Sequence, residues 1–206
     1  MNFADFINTL EKRLSEKPLP GHEEIMRQMS PYRLKVKVEP NASTRRSAVL
    51  MMFYPKGEDI FLPLILRPQY DGVHGGQMAF PGGRVELKDK DIQATALREA
   101  QEEIGIKATD VKIIKNLTEL FIPPSNMFCQ PVVGYMASRP GFYPDEREVA
   151  GIFEVSITEI LDPSIVQVRT VETRGVKLET PCFVIQDQIV WGATALMIAE
   201  LIEVLK

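Results

Sequence analysis

Two near-continuous apolar runs, Ala48 to Tyr54 and Ile60 to Leu66, place the tightest limit on the fold. Neither alternates apolar with polar residues, as a strand with one wet face would. A Pro-Lys-Gly-Glu-Asp turn, Pro55 to Asp59, joins them. They read as two strands at the centre of a sheet that is covered on both faces.

The remaining periodicities fill in around that pair. Phe3, Phe6, Ile7, Leu10 and Leu14 mark one face of a first helix. A Lys-Pro-Leu-Pro-Gly break ends it, and a short helix around Glu23 to Gln28 follows. A glycine-rich stretch, Gly72 to Gly83, leads into a helical pattern from about Asp91 to Ile104, stopped by Gly105. Val111 to Ile122, Pro131 to Met136 and Val149 to Val155 read as further strands, and Thr158 to Leu161 as a helical turn. Gln167 to Leu178 and Cys182 to Val190 read as a late pair of strands, and Ala193 to Leu205 as a closing helix. Mixed strands with a few helices point to an α+β chain with one layered domain. The division expected is a helical extension over residues 1–30, packed on a main domain over residues 31–206.

Composition excludes several classes. With 45% hydrophobic and 25% charged residues, the chain has the makeup of a globular protein. A net charge of −4 gives no basis for broad attraction to nucleic acid, and cations would have to neutralise an anionic substrate. Cys129 and Cys182 form neither a disulfide framework nor a zinc spacing, and read as reduced, partly buried thiols. No apolar run approaches the roughly 20 residues of a membrane span. The opening MNFADFINTLEKRL lacks the apolar core of a signal peptide, so a cytoplasmic setting without membrane partners is expected.

Chemistry concentrates between Gly75 and Ile106. Glu99, Glu102 and Glu103, spaced i, i+3 and i+4, occupy one helical arc of roughly 100°. Ala96, Leu97, Ala100 and Ile104 occupy the neighbouring arc and would face the core. The carboxylates therefore project together beside a buried seam, and their repulsion calls for compensation. Hard divalent cations with oxygen ligands provide it. Arg98, at i, i+4 from Glu102, could restrain that carboxylate. Acidic residues at this spacing are common on solvated helix faces, and alone they would signify little. The Phe80-Pro81-Gly82-Gly83 loop changes the balance, because its glycines permit close approach and can aim a backbone carbonyl at a metal.

This segment resembles a Nudix box: glycine, five residues, glutamate, seven residues, then Arg-Glu and a paired glutamate before glycine. Arg98 to Ile106, REAQEEIGI, supplies the second half, with Ala100 smaller than the usual aliphatic residue. Upstream, Lys90 stands where the first glutamate belongs and Asp89 lies one place further away, so Glu86 and Asp89 are both candidates for that role. The region also resembles the coenzyme A pyrophosphatase branch in Arg67, Gly76, HGGQMAFPGG from His74 to Gly83, EREVAGIFEV from Glu146 to Val155, and VWGATALMIAELIEVL. It departs at Pro68, where a small residue is usual, and at Gly72, where a second arginine is expected.

The resemblance implies an α/β/α sandwich around a mixed sheet and magnesium-dependent hydrolysis of a diphosphate, with manganese as a substitute. It implies metal ligation by Glu99, Glu102, Glu103 and the Gly83 carbonyl, with Arg98 orienting the cluster. The proton acceptor would be a helix glutamate or Glu148, which is otherwise a solvated loop charge. Arg67 would bind a substrate phosphate or form a surface ion pair. His74 would contact phosphate or be an ordinary polar loop residue. Trp191 and Phe153 read as core more than as a substrate platform. Coenzyme A or an acylated relative is the first substrate choice, ADP-ribose or another nucleoside diphosphate derivative the second, and a binding module without catalysis the third. A homodimer is left open.

Overall fold

The structure, a computed structural model, describes residues 1–29, 38–70, 72–173 and 175–206. The expected division between residues 30 and 31 lies outside the described residues.

The two apolar runs are β1 (Arg45–Lys56) and β2 (Asp59–Leu66), an antiparallel pair that turns between Lys56 and Asp59. The other edge of β1 pairs in parallel with β7 (Met127–Tyr135), from Arg45↔Met127 to Phe53↔Tyr135. β2 in turn pairs with β3 (Met78–Ala79) and β8 (Gly151–Ser156). β1 is thus an interior strand of a mixed, eight-stranded sheet. Its continuous hydrophobicity follows from burial on both sides. Ala48, Leu50, Met52 and Tyr54 enter one core, while Met51 and Phe53 enter the other.

The first core lies under α3 (Ile92–Ile104), the second under α1 (Phe3–Glu16) and α5 (Gly192–Leu205). This is the helix–sheet–helix layering of an α+β sandwich. α3 begins where the Asp91 carboxylate accepts from the Ala94 N–H at 2.7 Å, and stops at Gly105 with φ of 70°. Ala96 and Ala100 are fully buried, and their small size lets the helix lie close on the sheet. On the opposite face Phe6, Ile7, Leu10 and Leu14 of α1 are buried, with the Phe6 ring edge-on to Phe53 at 5.2 Å. A short helix α2 (His22–Met29) follows α1. Among the described residues no helix is long and apolar enough to cross a membrane.

Two readings of the late chain require correction. Val111 to Ile122 is not one strand but β5 (Lys112–Asn116) and β6 (Leu120–Ile122), both antiparallel to β7. Between them Thr118 turns to the buried Glu200 of α5, giving its N–H at 3.2 Å and its hydroxyl at 2.5 Å. The late pair of strands is a three-stranded sheet: β9 (Val166–Thr173), β10 (Val176–Ile185) and β11 (Gln188–Trp191). Val176 to Leu178 belong to β10, not to the strand before it. The second turn is made by Gln186 and Asp187, with φ of 47° and 62°. Two left-handed residues suit a hairpin turn, but neither is glycine, so the sequence carries no obvious mark of it. The Thr158 to Leu161 turn is α4 (Ile157–Ile160). Phe153 packs partly buried against the larger core, and Trp191 is half-buried where α5 begins. Both cysteines are free and buried.

Candidate active site

The FPGG run becomes β4 (Gly82–Arg84), antiparallel to β1 with Ala48↔Gly83 and Ser47↔Arg84 in register. The strand needs Gly82 for space, and the bare Gly83 lets the Glu99 carboxyl group come close. A Cβ on Gly82 would lie 2.3 Å from the Ala48 carbonyl oxygen, and one on Gly83 would lie 2.5 Å from the Glu99 carboxyl group. α3 therefore settles directly over β4, which brings its carboxylates to the backbone of Gly82 and Gly83.

Glu103 is the deepest carboxylate of this set, at 1% exposure. Its Oε2 accepts the Gly82 N–H at 2.7 Å, and its Oε1 lies 3.5 Å from Arg67 Nη1. Arg67 also donates Nη2 to the Gly82 carbonyl at 3.0 Å. Burial pushes Glu103 up to about 7, against the opposing pull of Arg67 and the Gly82 N–H, while Glu99 and Glu148 add to the rise. Glu99 is also raised, first by burial and then by Glu102 and Glu148, with Arg98 opposing. Glu148 is exposed, yet its field reaches both helix carboxylates. Its loop is held there because Tyr143 and Asp145 donate their N–H groups to the Ile104 and Glu103 carbonyls at 2.9 and 3.0 Å.

Arg98 organises the other flank. Its Nη1 donates to Glu99 at 2.9 Å and Glu102 at 2.8 Å, as the i, i+4 spacing implied for Glu102. Nε and Nη2 grip Asp89 at 2.8 and 2.9 Å, and Nη2 also reaches the Arg84 carbonyl at 2.8 Å. Asp89 accepts further from the Thr95 hydroxyl at 2.8 Å, and Arg98 holds its carboxyl well below the usual carboxylate range. Between the two upstream acids, Asp89 anchors Arg98 from a buried position, while the half-exposed Glu86 stands 3.6 Å off and pairs with Lys88 at 3.1 Å. This role was left open by the sequence because the spacing is one residue longer than the general box. Lys88 also lies 3.6 Å from Glu102, a contact that nothing in the sequence marked.

His74 Nδ1 lies 3.1 Å from Gln77 Oε1, within the glycine-rich loop. Arg67, in contrast, stands inside the carboxylate cluster. Among the described residues no three His, Cys, Asp or Glu side chains converge as a finished metal cage. Glu99 and Glu102 rest on Arg98 instead. The donor set nevertheless fits a hard divalent cation. It is all oxygen, two of its carboxyls are raised by burial and mutual charge, and the Gly83 backbone sits against Glu99 with no side chain between.

A model of the NUDIX domain matches residues 43–177. The chain belongs to the Nudix hydrolase family. The matched span runs from just before β1 into β10 and includes the whole carboxylate cluster. Uncharacterised Nudix hydrolases named NudL, from Yersinia pestis (strain Pestoides F) and Yersinia pseudotuberculosis serotype O:1b (strain IP 31758), are each 34% identical over 161 residues, covering 78% of this chain and 80% of theirs. Among solved structures, the M. smegmatis Nudix hydrolase RenU has a TM-score of 0.47 at 22% identity, over 55% of this chain and 71% of that one. Nudix hydrolases generally use divalent metal ions. In this member Arg98, Asp89 and the Gly82–Gly83 backbone frame the residues that would receive one.

Proposed function

We propose that this Nudix hydrolase cleaves the diphosphate of coenzyme A or an acyl-coenzyme A, giving 4′-phosphopantetheine and adenosine 3′,5′-bisphosphate. The observation that carries the metal-dependent hydrolase part of this reading is the cluster of Glu99, Glu102 and Glu103 against the side-chain-free backbone of Gly83. Glu99, Glu102, Glu103 and the Gly83 carbonyl would hold magnesium, with manganese as a substitute. A divalent cation there supplies charge neutralisation at phosphate oxygens and makes an attacking water more acidic.

The chain's own groups do the rest. Arg98 fixes Glu99 and Glu102 relative to one another through a single nitrogen, Nη1. Arg67 presents a guanidinium beside Glu103 and is 24% exposed, so it can reach a phosphate oxygen from within the cleft. The proton from water passes to a carboxylate. The acceptor is either a carboxylate of the helix cluster or Glu148 at its rim. His74, on the same glycine-rich loop as the FPGG run, is assigned to substrate contact.

The coenzyme A choice rests on the resemblance across His74 to Gly83 and Glu146 to Val155. The arginine absent at Gly72 favours keeping ADP-ribose and related nucleoside diphosphate derivatives as the second reading. A module without catalysis would not need the intact Arg98 framework. The test is product analysis by mass spectrometry with coenzyme A, dephospho-coenzyme A, ADP-ribose and NADH side by side. Coenzyme A should give the two named products. Efficient cleavage of ADP-ribose with coenzyme A untouched would overturn the substrate and leave the hydrolase.

A further inference from the structure

Arginines crowd the end of the sheet beside the carboxylate cluster: Arg45 and Arg46 open β1, Arg84 closes β4, and Arg67, just after β2, donates to the Gly82 carbonyl. Some of them have partners. Arg46 is paired with Glu119 at 2.5 Å, Arg67 with Glu103, and Arg98 with its acids. Arg45 and Arg84 are exposed, and among the described residues neither guanidinium has a hydrogen bond or an ion pair.

The register brings these two together. Ser47 is the cross-strand partner of Arg84, and Arg45 lies two residues before Ser47, so Arg45 and Arg84 share a sheet face as diagonal neighbours. Gly83 turns its α-carbon toward Glu99, so strand alternation sends the Arg84 side chain to the opposite side of the same backbone. That backbone is fixed, because Arg98 Nη2 holds the Arg84 carbonyl at 2.8 Å. Two exposed guanidiniums on one sheet face, neither with a partner among the described residues, offer two sets of N–H donors to a single dianion. In a chain with net charge −4 this basic spot is local.

We propose that Arg84 and Arg45 bind a phosphate monoester carried by the substrate's nucleotide half, one separate from the diphosphate that is cut. The inference rests on the coenzyme A reading and deepens it. The diphosphate belongs on the Glu99 side of Gly83, so the arginines on the other side meet a group displaced from it.

Calorimetric titration of adenosine 3′,5′-bisphosphate and of AMP into the full chain tests this, using the unsubstituted protein, Arg84→Met and Arg45→Met. Both substitutions are at exposed positions, and the thermal midpoint of each variant reports that it is folded. The unsubstituted protein should bind the bisphosphate about tenfold or more tightly than AMP. In Arg84→Met that ratio should fall to within about twofold, and in Arg45→Met it should fall by at least about threefold, one charge-assisted contact being lost in each. Equal binding of the two nucleotides by the unsubstituted protein, or an unchanged ratio in both variants, overturns the proposal. Turnover of coenzyme A by the unsubstituted protein reports separately on the substrate. If coenzyme A is not cleaved while the ratios behave as stated, the substrate reading falls and the phosphate site stands.

Discussion

Arg98 is the residue on which the site depends, because its guanidinium ties two α3 carboxylates to the loop acid Asp89 and to the Arg84 carbonyl. Asp89 and Arg98 are both largely buried, at 3% and 13% side-chain exposure, so removing one leaves the other poorly compensated. Asp89→Ala should cost about 3 kcal/mol in denaturant unfolding, the range for breaking a buried pair from one side. It should also lower turnover, because Glu99 and Glu102 lose their common anchor. A loss below about 0.5 kcal/mol would show that Glu86 takes over the anchoring. Glu102→Gln is the complementary case. Glu102 is 49% exposed, so its exchange removes little packing, and the loss of its exposed pairing with Arg98 is offset by relief of its repulsion of Glu99, leaving the thermal midpoint nearly unchanged. If Glu102 holds the cation as proposed, turnover should nevertheless fall at least about 100-fold, because a ligand and its charge would be lost. Near-normal activity in a folded Glu102→Gln protein would remove Glu102 from the metal site. Helical spacing together with the Phe80-Pro81-Gly82-Gly83 loop made this cluster legible. The choice between Glu86 and Asp89 was not legible, because a loop with one extra residue is set by contacts and not by periodicity.

Among elements, those with strong local signals were read well and those fixed by distant partners were not. α3 carries its cap at Asp91, its stop at Gly105 and an apolar seam, and it forms within a residue of its expected bounds. β5 and β6 are separated by a bond from Thr118 to Glu200, 82 residues away, which no window along the chain contains. Another distant contact sets a pH dependence. Glu154 on β8 receives Arg139 at 2.7 and 2.9 Å, Lys56 at 3.1 Å and the Tyr54 hydroxyl at 3.0 Å, joining β1, β8 and the loop after β7. Arg139 foremost, then Lys56 and Tyr54, hold its carboxyl down at about 2, against an ordinary value of 4.5. A carboxyl with a lowered folded-state value contributes stability that is complete above its unfolded value and lost as pH falls through the folded one. The difference in thermal midpoint between the unsubstituted protein and Glu154→Gln should therefore be constant above about pH 5.5 and narrow steadily toward pH 2. A gap that is the same at pH 3 and pH 7 would contradict this ion-pair account.

At the scale of the whole molecule, one interior strand organises everything else. β1 faces α3 on one side and α1 with α5 on the other, so the same run of residues founds both cores and supplies the partner strand of Gly82 and Gly83. The layered fold was legible because burial on both faces leaves an uninterrupted apolar run. Arg84 and Arg45 were not, because their adjacency exists only once β4 lies against β1. The carboxylates are held by bonds within the protein, Glu103 by the Gly82 N–H and Glu99, Glu102 and Asp89 by Arg98. Removing a divalent cation should therefore stop the reaction while leaving the fold in place. The direct measurement follows diphosphate cleavage and far-ultraviolet circular dichroism together, after exhaustive chelation and dialysis and again on adding magnesium. Cleavage should disappear with an unchanged spectrum and return with magnesium, or with manganese in its place. Full cleavage after exhaustive removal of divalent cations would contradict the account.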